Sequence, residues 1–355
     1  MTRVLIEGVG VQYGSGSRAV SVLRDVNLDV PTQSVLGIVG ESGSGKSTLA
    51  RAIAGLVPLR HGSVTVGDHP AFGRRRSRQE RRRVQMAFQD PSTSLNPRLT
   101  VEQTLGDACL GPRGRRAARV SELLADVGLG DEYSRALPRD LSGGQRQRVS
   151  LARAIAADPE VLICDEVTSA LDAATRGAIL SLLMRLQERH GFTLLFISHD
   201  VGAVRHICDQ VAVMYAGQVV EVADVAALDG VPAHPYTRVL LDAVPSLDRA
   251  HAVNVLDFEP VDPRDPPSGC RFHPRCPIGP FHQEDRDICV TTDPASQAST
   301  RVNHSACHFA PKAFDQVPPP EDQLTPARNR FASVPPSGGT QPPAQKEQGA
   351  SHATS

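Results

Sequence analysis

The chain lacks any long hydrophobic run. Its 355 residues contain no stretch of about eighteen consecutive apolar residues, the length that a membrane-spanning helix requires. The first residues, Met1-Thr-Arg-Val-Leu-Ile-Glu7, also lack the basic-then-apolar pattern of a secretory signal. The sequence therefore predicts a protein that stays in the cytoplasm.

The chain also lacks an excess of charge of either sign. Its formal net charge is -1, which gives no bulk attraction to nucleic acid or to a membrane surface. Lysine is scarce, with only Lys46, Lys312 and Lys346 among 38 basic residues. A basic run at 73–83 contains no aromatic residue, so a solvated face is the simpler interpretation than a nucleic-acid patch.

Strand and helix patterns alternate from residue 1 to about 230, which predicts an α/β domain with a mostly parallel sheet. The strand candidates are 34–39, 161–164 and 193–197, and the helix candidates are 47–54, 113–127 and 145–157, the last capped by Ser142. Three scattered cysteines are expected to be small buried apolar residues: Cys109, Cys164 and Cys208.

A phosphate-binding loop follows the first of these strands. Its members are Gly40, Glu41, Ser42, Gly43, Ser44, Gly45, Lys46 and Ser47, with Thr48 next in the helix. The glycines let backbone N–H groups converge on a phosphate, and the helix N-terminus adds its dipole. Lys46 is expected to reach the β and γ phosphates and Ser47 to ligate Mg²⁺. A chance Gly/Ser loop is disfavoured because a strand precedes it and a helix follows it.

Two acids end the apolar run Val161-Leu-Ile-Cys-Asp165-Glu166. A buried strand would deliver Asp165 to its carboxyl edge, where the carboxylate can hold a magnesium-bound water. Glu166 comes next and, within a strand, would point the opposite way, which suits a different function.

The segment Leu141-Ser-Gly-Gly-Gln-Arg-Gln147 lies between the phosphate loop and the two acids. With this order of motifs the chain resembles the ATP-binding-cassette (ABC) ATPases. The resemblance implies a P-loop NTPase fold with a RecA-like core and a helical subdomain, plus a small Cys-rich extension. The implied domains are 1–255, with the subdomain at about 90–155, then the Cys-rich region 256–312 and a disordered Pro-rich tail 313–355.

The resemblance also implies a role for each matching residue. Glu166 polarises the attacking water, Gln89 senses Mg²⁺ and that water, and His199 contacts the γ-phosphate. Tyr13 stacks on adenine. The signature residues close over the ATP of the opposite subunit; they are Ser142, Gly143, Gly144 and Gln145. Asp172 lies in the segment that links the two sites.

One loop and one signature supply half of each composite site, so the chain is expected to dimerise. The family usually has proline where this chain has Val167, which we expect to loosen the turn slightly without abolishing hydrolysis.

Five segments are similar to the oligopeptide/dipeptide (peptide/nickel) importers: 90–97, His234-Pro-Tyr-Thr-Arg-Val-Leu-Leu241, 243–245, Gly269-Cys-Arg-Phe-His-Pro-Arg-Cys-Pro277 and 303–308. This similarity implies a peripheral subunit at the cytoplasmic face of the membrane that hydrolyses ATP to import di- or oligopeptides. The implied partners are a second ATPase (a copy or a paralogue), two permease subunits and, indirectly, a solute-binding protein. The alternatives are another solute such as nickel, a soluble ABC ATPase outside transport, or a non-hydrolysing regulatory subunit.

Four late cysteines form a separate group: Cys270, Cys276, Cys289 and Cys307. Four thiolates can hold a [4Fe–4S] cluster, and some members of the subfamily carry one there. Zinc and unligated thiols stay open as alternatives, although the close Cys pair typical of structural zinc is missing. His273, His304 and His308 are nearby replacement ligands. The role would be structural, because this loop-rich region has little apolar content.

Overall fold

The computed structural model describes residues 2–71, 77–110, 112–229, 232–243, 261–262, 264–294 and 304–310. The predicted tail 313–355, and part of the basic run, lie outside these residues. The strands are Val4–Tyr13 (β1), Val20–Val30 (β2), Val35–Val39 (β3), His61–Val66 (β4), His69–Pro70 (β5), Val84–Ala87 (β6), Val161–Asp165 (β7), Thr193–Ile197 (β8), Gln210–Tyr215 (β9), Gln218–Asp224 (β10) and His304–Ser305 (β11).

The helices are Lys46–Ile53 (α1), Arg78–Arg82 (α2), Pro91–Ser94 (α3), Val101–Ala108 (α4), Arg116–Asp126 (α5), Gly143–Ile155 (α6), Ala173–His190 (α7), Val201–Ile207 (α8), Pro235–Asp242 (α9) and Ile288–Thr291 (α10). No helix among the described residues is both long enough and apolar enough to cross a membrane.

The larger sheet has seven strands in the order β11-β10-β9-β3-β8-β7-β6. Strands β9, β3, β8, β7 and β6 are parallel, and β10 and β11 are antiparallel to their neighbours. Every residue of β3, β7 and β8 is buried, as expected for central strands of a parallel sheet covered on both faces. The three predicted strands are therefore confirmed, with β8 at the predicted bounds.

The N-terminal part differs from the prediction. Strands β1, β2, β4 and β5 form a separate antiparallel sheet in the order β2-β1-β4-β5. Only residues 14–19 connect β1 to β2, which is too short for the crossover that parallel neighbours need. The alternation of strand and helix therefore starts after β2, at β3, and not at residue 1.

Helices α3 to α6 pack together beside the larger sheet, in the part of the chain predicted as a helical subdomain. Leu105, Leu123, Leu124 and Val149 are buried between them. Helix α6 begins at Gly143, two residues before the predicted start, because the Ser142 hydroxyl accepts the backbone N–H of Gln145 and caps it. The cap prediction is confirmed. The three scattered cysteines are buried, as predicted.

The Cys-rich segment is attached to the main sheet. Strand β11 pairs with β10, and the backbone N–H of Ala306 donates to the carbonyl of Val220. On the same strand the buried Glu221 accepts the backbone N–H groups of Ala233 and His234 at 2.9 and 3.0 Å. Burial raises the pKa of the Glu221 carboxyl, while these two hydrogen bonds oppose the rise. This carboxylate fixes the entry into α9.

We expect Glu221→Ala to destabilise the protein by about 1–3 kcal/mol, because two buried N–H groups lose their acceptor. Glu221→Gln should cost less, since the amide retains an acceptor oxygen. Thermal and denaturant unfolding of the variants would measure this, with the exposed Glu188→Ala on α7 as the matched control. Equal midpoints for Glu221→Ala and Glu188→Ala would contradict it.

Candidate active site

The phosphate-type loop joins the buried strand β3 to α1. Gly40 has φ of 153° and Gly45 has φ of 101°, both in the region that favours glycine. A Cβ on Gly40 would lie 2.1 Å from the carbonyl oxygen of Met214. The loop therefore requires glycine at this position both for its backbone conformation and for its contact with β9.

Lys46 is buried at the start of α1 and is held by the loop itself. Its Nζ donates to the carbonyl oxygens of Gly40 and Glu41, both at 2.8 Å. Burial lowers the pKa of Lys46, and the carboxylates of Glu166 and Asp165 oppose this change. The ammonium group is thus positioned at the loop, where an anionic phosphate would offset its desolvation.

Ser47 and Asp165 bring two oxygen ligands together. The Ser47 hydroxyl donates to Oδ1 of Asp165 at 3.0 Å, across 118 positions of the chain. Burial raises the pKa of the Asp165 carboxyl, and the bond from Ser47 opposes the rise. Hydroxyl and carboxylate oxygens are the hard ligands that Mg²⁺ prefers, so the pair fits a magnesium ion beside a bound phosphate.

Glu166 lies in a turn. Strand β7 ends at Asp165, and Glu166 has φ of 51°, so the expectation that it continues the strand is wrong. Its N–H still donates to the carbonyl of Ile197 at 3.0 Å, while its own carbonyl accepts the N–H of Ser169 at 3.1 Å and turns the chain. His199 Nδ1 lies 3.7 Å from Oε1 of Glu166.

Gln89 and Val167 are two further residues near Glu166 at the carboxyl end of the parallel strands. Gln89 is exposed just after β6, and its Nε2 donates to the Ser169 hydroxyl at 3.3 Å. That hydroxyl donates in turn to the carbonyl of Glu166 at 2.9 Å. Val167 is 2 % exposed and packs in the core. Gln89, Glu166 and His199 therefore lie close together where β6, β7 and β8 end.

The signature residues stand apart from this loop within the chain. Ser142 and Gly143 are exposed at the start of α6, Gly144 and Gln145 are half-buried, and Gln145 Nε2 donates to the Tyr133 hydroxyl at 3.0 Å. Within the described residues, no hydrogen bond or ion pair joins 141–145 to 40–48. The N-terminal end of α6 is thus accessible from solvent.

Two further predicted residues lie at the surface. Asp172 is exposed and caps α7 by accepting the N–H and the hydroxyl of Thr175, and these bonds hold the pKa of Asp172 low. Tyr13 ends β1 with 40 % of its surface exposed, which leaves ring surface open to solvent. Both positions are compatible with the expected contacts.

Sequence reasoning gave no role to two residues that touch the loop. The two terminal guanidinium nitrogens of Arg275, Nη1 and Nη2, donate to the carboxylate of Glu41, each at 2.9 Å. The Tyr236 hydroxyl accepts the backbone N–H of Glu41 at 2.9 Å. Both residues stand in the importer-like motifs, but their partner is about 200 positions away, so only the fold shows the contact.

The four late cysteines line one small, largely apolar cavity, together with His273, Phe272 and His308. Burial raises the pKa of Cys270 to about 12 and of Cys276 to about 11. The described part of the chain contains no group of three or more Cys, His, Asp or Glu side chains arranged to hold a single metal ion. The four predicted cysteines therefore lie around one cavity, but the described residues show no metal-binding group there.

Two family models match the chain. The model of the ABC transporter family matches residues 23–169, and the model of the oligopeptide/dipeptide transporter C-terminal region matches residues 220–280. A probable peptide ABC transporter ATP-binding protein of Sinorhizobium fredii is 43 % identical over 310 residues, covering 84 % of this chain and 86 % of that protein. A putative peptide import ATP-binding protein of Brucella ovis is 37 % identical over 310 residues, covering 85 % and 96 %.

Solved structures give the same picture. A dimeric ATP-binding cassette in a post-hydrolysis state, bound to ADP and phosphate, matches with a TM-score of 0.55 and 28 % identity, covering 62 % of this chain and 98 % of that one. A cbiO1 protein of Clostridium perfringens, part of an ABC transporter complex, matches with a TM-score of 0.57 and 27 % identity, covering 64 % and 90 %. The expected fold is thus confirmed.

Proposed function

This chain belongs to the ABC transporter ATP-binding proteins, and we propose that it powers the import of di- or oligopeptides. The family's activity is ATP hydrolysis coupled to transport, with ATP and Mg²⁺ as its cofactors. The observation that carries the peptide assignment is the match of residues 220–280 to the oligopeptide/dipeptide transporter region. The names of the two curated relatives support it.

The site residues have the following roles in this proposal. Lys46 and the loop amides bind the phosphates, and Ser47 with Asp165 holds Mg²⁺. Glu166 orients and polarises the attacking water, with His199 beside it and Gln89 linked to it through Ser169. Two of these contacts, His199 with Glu166 at 3.7 Å and Gln89 with Ser169 at 3.3 Å, join groups that follow different strands, and they support this arrangement.

A second cassette completes each site. The exposed start of α6 offers the Ser142 hydroxyl, which caps the helix in the free chain, and backbone N–H groups at a helix N-terminus, a favourable environment for a phosphate. The signature 142–145 then closes over ATP bound by the partner, with Tyr13 stacking on the adenine and Asp172 in the linking segment. The partner is a copy of this chain or a paralogue.

Two permease subunits and a solute-binding protein complete the proposed transporter, with this chain at the cytoplasmic face of the membrane. The family relationship supports permease partners. Helices α3 to α6 follow Gln89 directly and form a compact unit beside the sheet. A conformational change at the nucleotide site can reach these helices through Gln89. We therefore assign the contact with the permease to helices α3 to α6. The division into 1–255, 256–312 and 313–355 is part of the same proposal.

We also propose that the late cysteines hold a [4Fe–4S] cluster. Four thiols line one apolar cavity, and four thiolates are the ligand set of such a cluster, whereas the close Cys pair typical of structural zinc is missing from the sequence. The raised pKa values of Cys270 and Cys276 mean that the free thiols stay protonated, so loading the site would release protons. Cys270, Cys276, Cys289 and Cys307 would be the ligands. The bound group would serve as a structural staple.

Glu166→Gln should leave ATP affinity near the wild-type value, because the loop and Mg²⁺ hold the nucleotide. ATP turnover should fall by orders of magnitude, because the amide cannot polarise water in the transition state. Uptake of labelled di- or oligopeptide by the assembled transporter should stop, and closed dimers should accumulate. Wild-type turnover in the variant would refute the assignment of Glu166. Uptake of nickel but not of peptide by the wild type would refute the proposed cargo.

Ser142→Ala should act in trans. The isolated chain should bind ATP normally, whereas ATP-driven dimerisation should weaken, measured by light scattering or sedimentation. Removing this hydroxyl also removes a helix cap, at a cost of about 1 kcal/mol. Thr100→Ala is the matched control, because Thr100 caps α4 with the same reciprocal pair of bonds. Weakened dimerisation in both variants alike, or loss of ATP binding by monomeric Ser142→Ala, would contradict the composite site.

Cys270→Ser and Cys307→Ser should give the same result, because each leaves three thiols around an incomplete site. Both should lower the stability of the C-terminal region and the yield of assembled transporter, while Cys109→Ala should keep the bound group. Anaerobically purified wild-type protein should be brown, with iron and sulfide in equal amounts. Colourless protein with stoichiometric zinc would replace the cluster by zinc. Colourless, metal-free protein that still assembles would exclude both.

A further inference from the structure

We propose that Arg275 is a positioning residue for the phosphate loop, so that the Cys-rich region sets the affinity for nucleotide. The juxtaposition is direct. Arg275 precedes Cys276 in the segment that lines the thiol cavity, and its guanidinium forms a two-pronged ion pair with Glu41, the second residue of the loop. A planar guanidinium matched to a carboxylate in this way restricts both distance and orientation.

The arginine is itself held rigidly. Its side chain is 4 % exposed, and it donates a third hydrogen bond to the Tyr215 hydroxyl at 3.3 Å. The guanidinium carbon also lies 5.8 Å from the centre of the Tyr215 ring. Tyr215 ends the buried strand β9, which neighbours β3 in the main sheet. Arg275 is therefore fixed both to the core, through Tyr215, and to the Cys-rich segment to which it belongs.

Glu41 transmits this constraint to the lysine. Its side chain is held by Arg275 and its backbone N–H by the Tyr236 hydroxyl, while its carbonyl accepts from Lys46 Nζ. Three groups of one residue thus join the C-terminal region to the ammonium group that would bind phosphate. The following residues, Ser42 and Gly43, are exposed, and no hydrogen bond to their side chains or N–H groups is found among the residues that the structure describes. A loop ordered before binding loses less entropy when the nucleotide arrives, which raises affinity.

A purely structural role predicts something different. Breaking an ion pair in a core leaves an unpaired buried charge and lowers global stability. Glu41 is 23 % exposed, so its carboxylate can be hydrated when Arg275 is removed. Removing Arg275 should therefore make the loop less ordered and weaken its affinity for nucleotide. The binding of phosphate by the loop and Lys46, and not the chemistry at Glu166, is the step affected.

The test measures nucleotide affinity and turnover in the full chain. Arg275→Ala and Glu41→Gln should each raise the Kd for a fluorescent MgATP analogue and the KM for ATP about tenfold, the size of one lost charge-assisted pair. The kcat of the assembled transporter should stay within about twofold of wild type in Arg275→Ala, since the reacting groups are untouched. The double variant should bind no more weakly than either single variant, because both remove the same pair.

Arg286→Ala is the matched control, since Arg286 belongs to the same region, bonds to Gln283 and contacts no loop residue that the structure describes. It should leave the Kd unchanged. Additive effects in the double variant, or an unchanged Kd in folded Arg275→Ala, would overturn the inference. If Arg275→Ala does not fold, Glu41→Gln and Arg275→Lys test the positioning role instead. Partial rescue of nucleotide affinity by lysine supports that role, and wild-type affinity in Glu41→Gln refutes it.

The inference rests on the proposed binding of ATP at this loop, but not on the transported solute. Lys46→Ala separates the two. If the wild type fails to bind MgATP, or if Lys46→Ala binds it equally well, the proposed site itself fails. If the wild type binds and Lys46→Ala does not, while Arg275→Ala and Glu41→Gln bind as tightly as the wild type, only the role of Arg275 fails.

Discussion

The structure depends on one constraint, that the parallel strands of a sheet all end at the same edge. Strands β3, β8, β7 and β6 lie side by side, fully buried except at one position of β6. At the carboxyl ends of these strands four groups lie side by side: the phosphate loop, His199, the pair Asp165 and Glu166, and Gln89. Each group comes from a different part of the sequence. Hydrophobic burial of the strands thus assembles the polar chemistry.

The elements that local patterns predicted well are those in which one physical signal dominates. Continuous apolar runs predicted β7 and β8, and the position of the Ser142 hydroxyl three residues before Gln145 predicted the N-cap of α6. The turn at Glu166 was missed because its positive φ follows from hydrogen bonds to Ile197 and Ser169, which no local pattern encodes. The antiparallel sheet was missed because short connections, and not strand composition, decide strand direction.

The candidate site was predicted in its residues but only partly in its connections. Motif order identified Lys46, Ser47, Asp165 and Glu166, and the structure places them together. The contact between Glu41 and Arg275 could not be inferred, since it joins positions 234 residues apart through the packing of α9 and the Cys-rich segment. A motif shows which side chains a chain possesses, whereas coupling between motifs arises only from tertiary packing.

The two-residue strand β11 has a consequence for the solubility of the chain. It pairs with Glu221 and Val222 of β10, where the larger sheet would otherwise present unpaired backbone groups. An uncovered strand edge is a template for pairing with other chains. A thiol-lined segment that keeps His304 and Ser305 in place therefore also shields the sheet from self-association. Loss of the pairing between β11 and β10 would then appear as aggregation before it appears as lost catalysis.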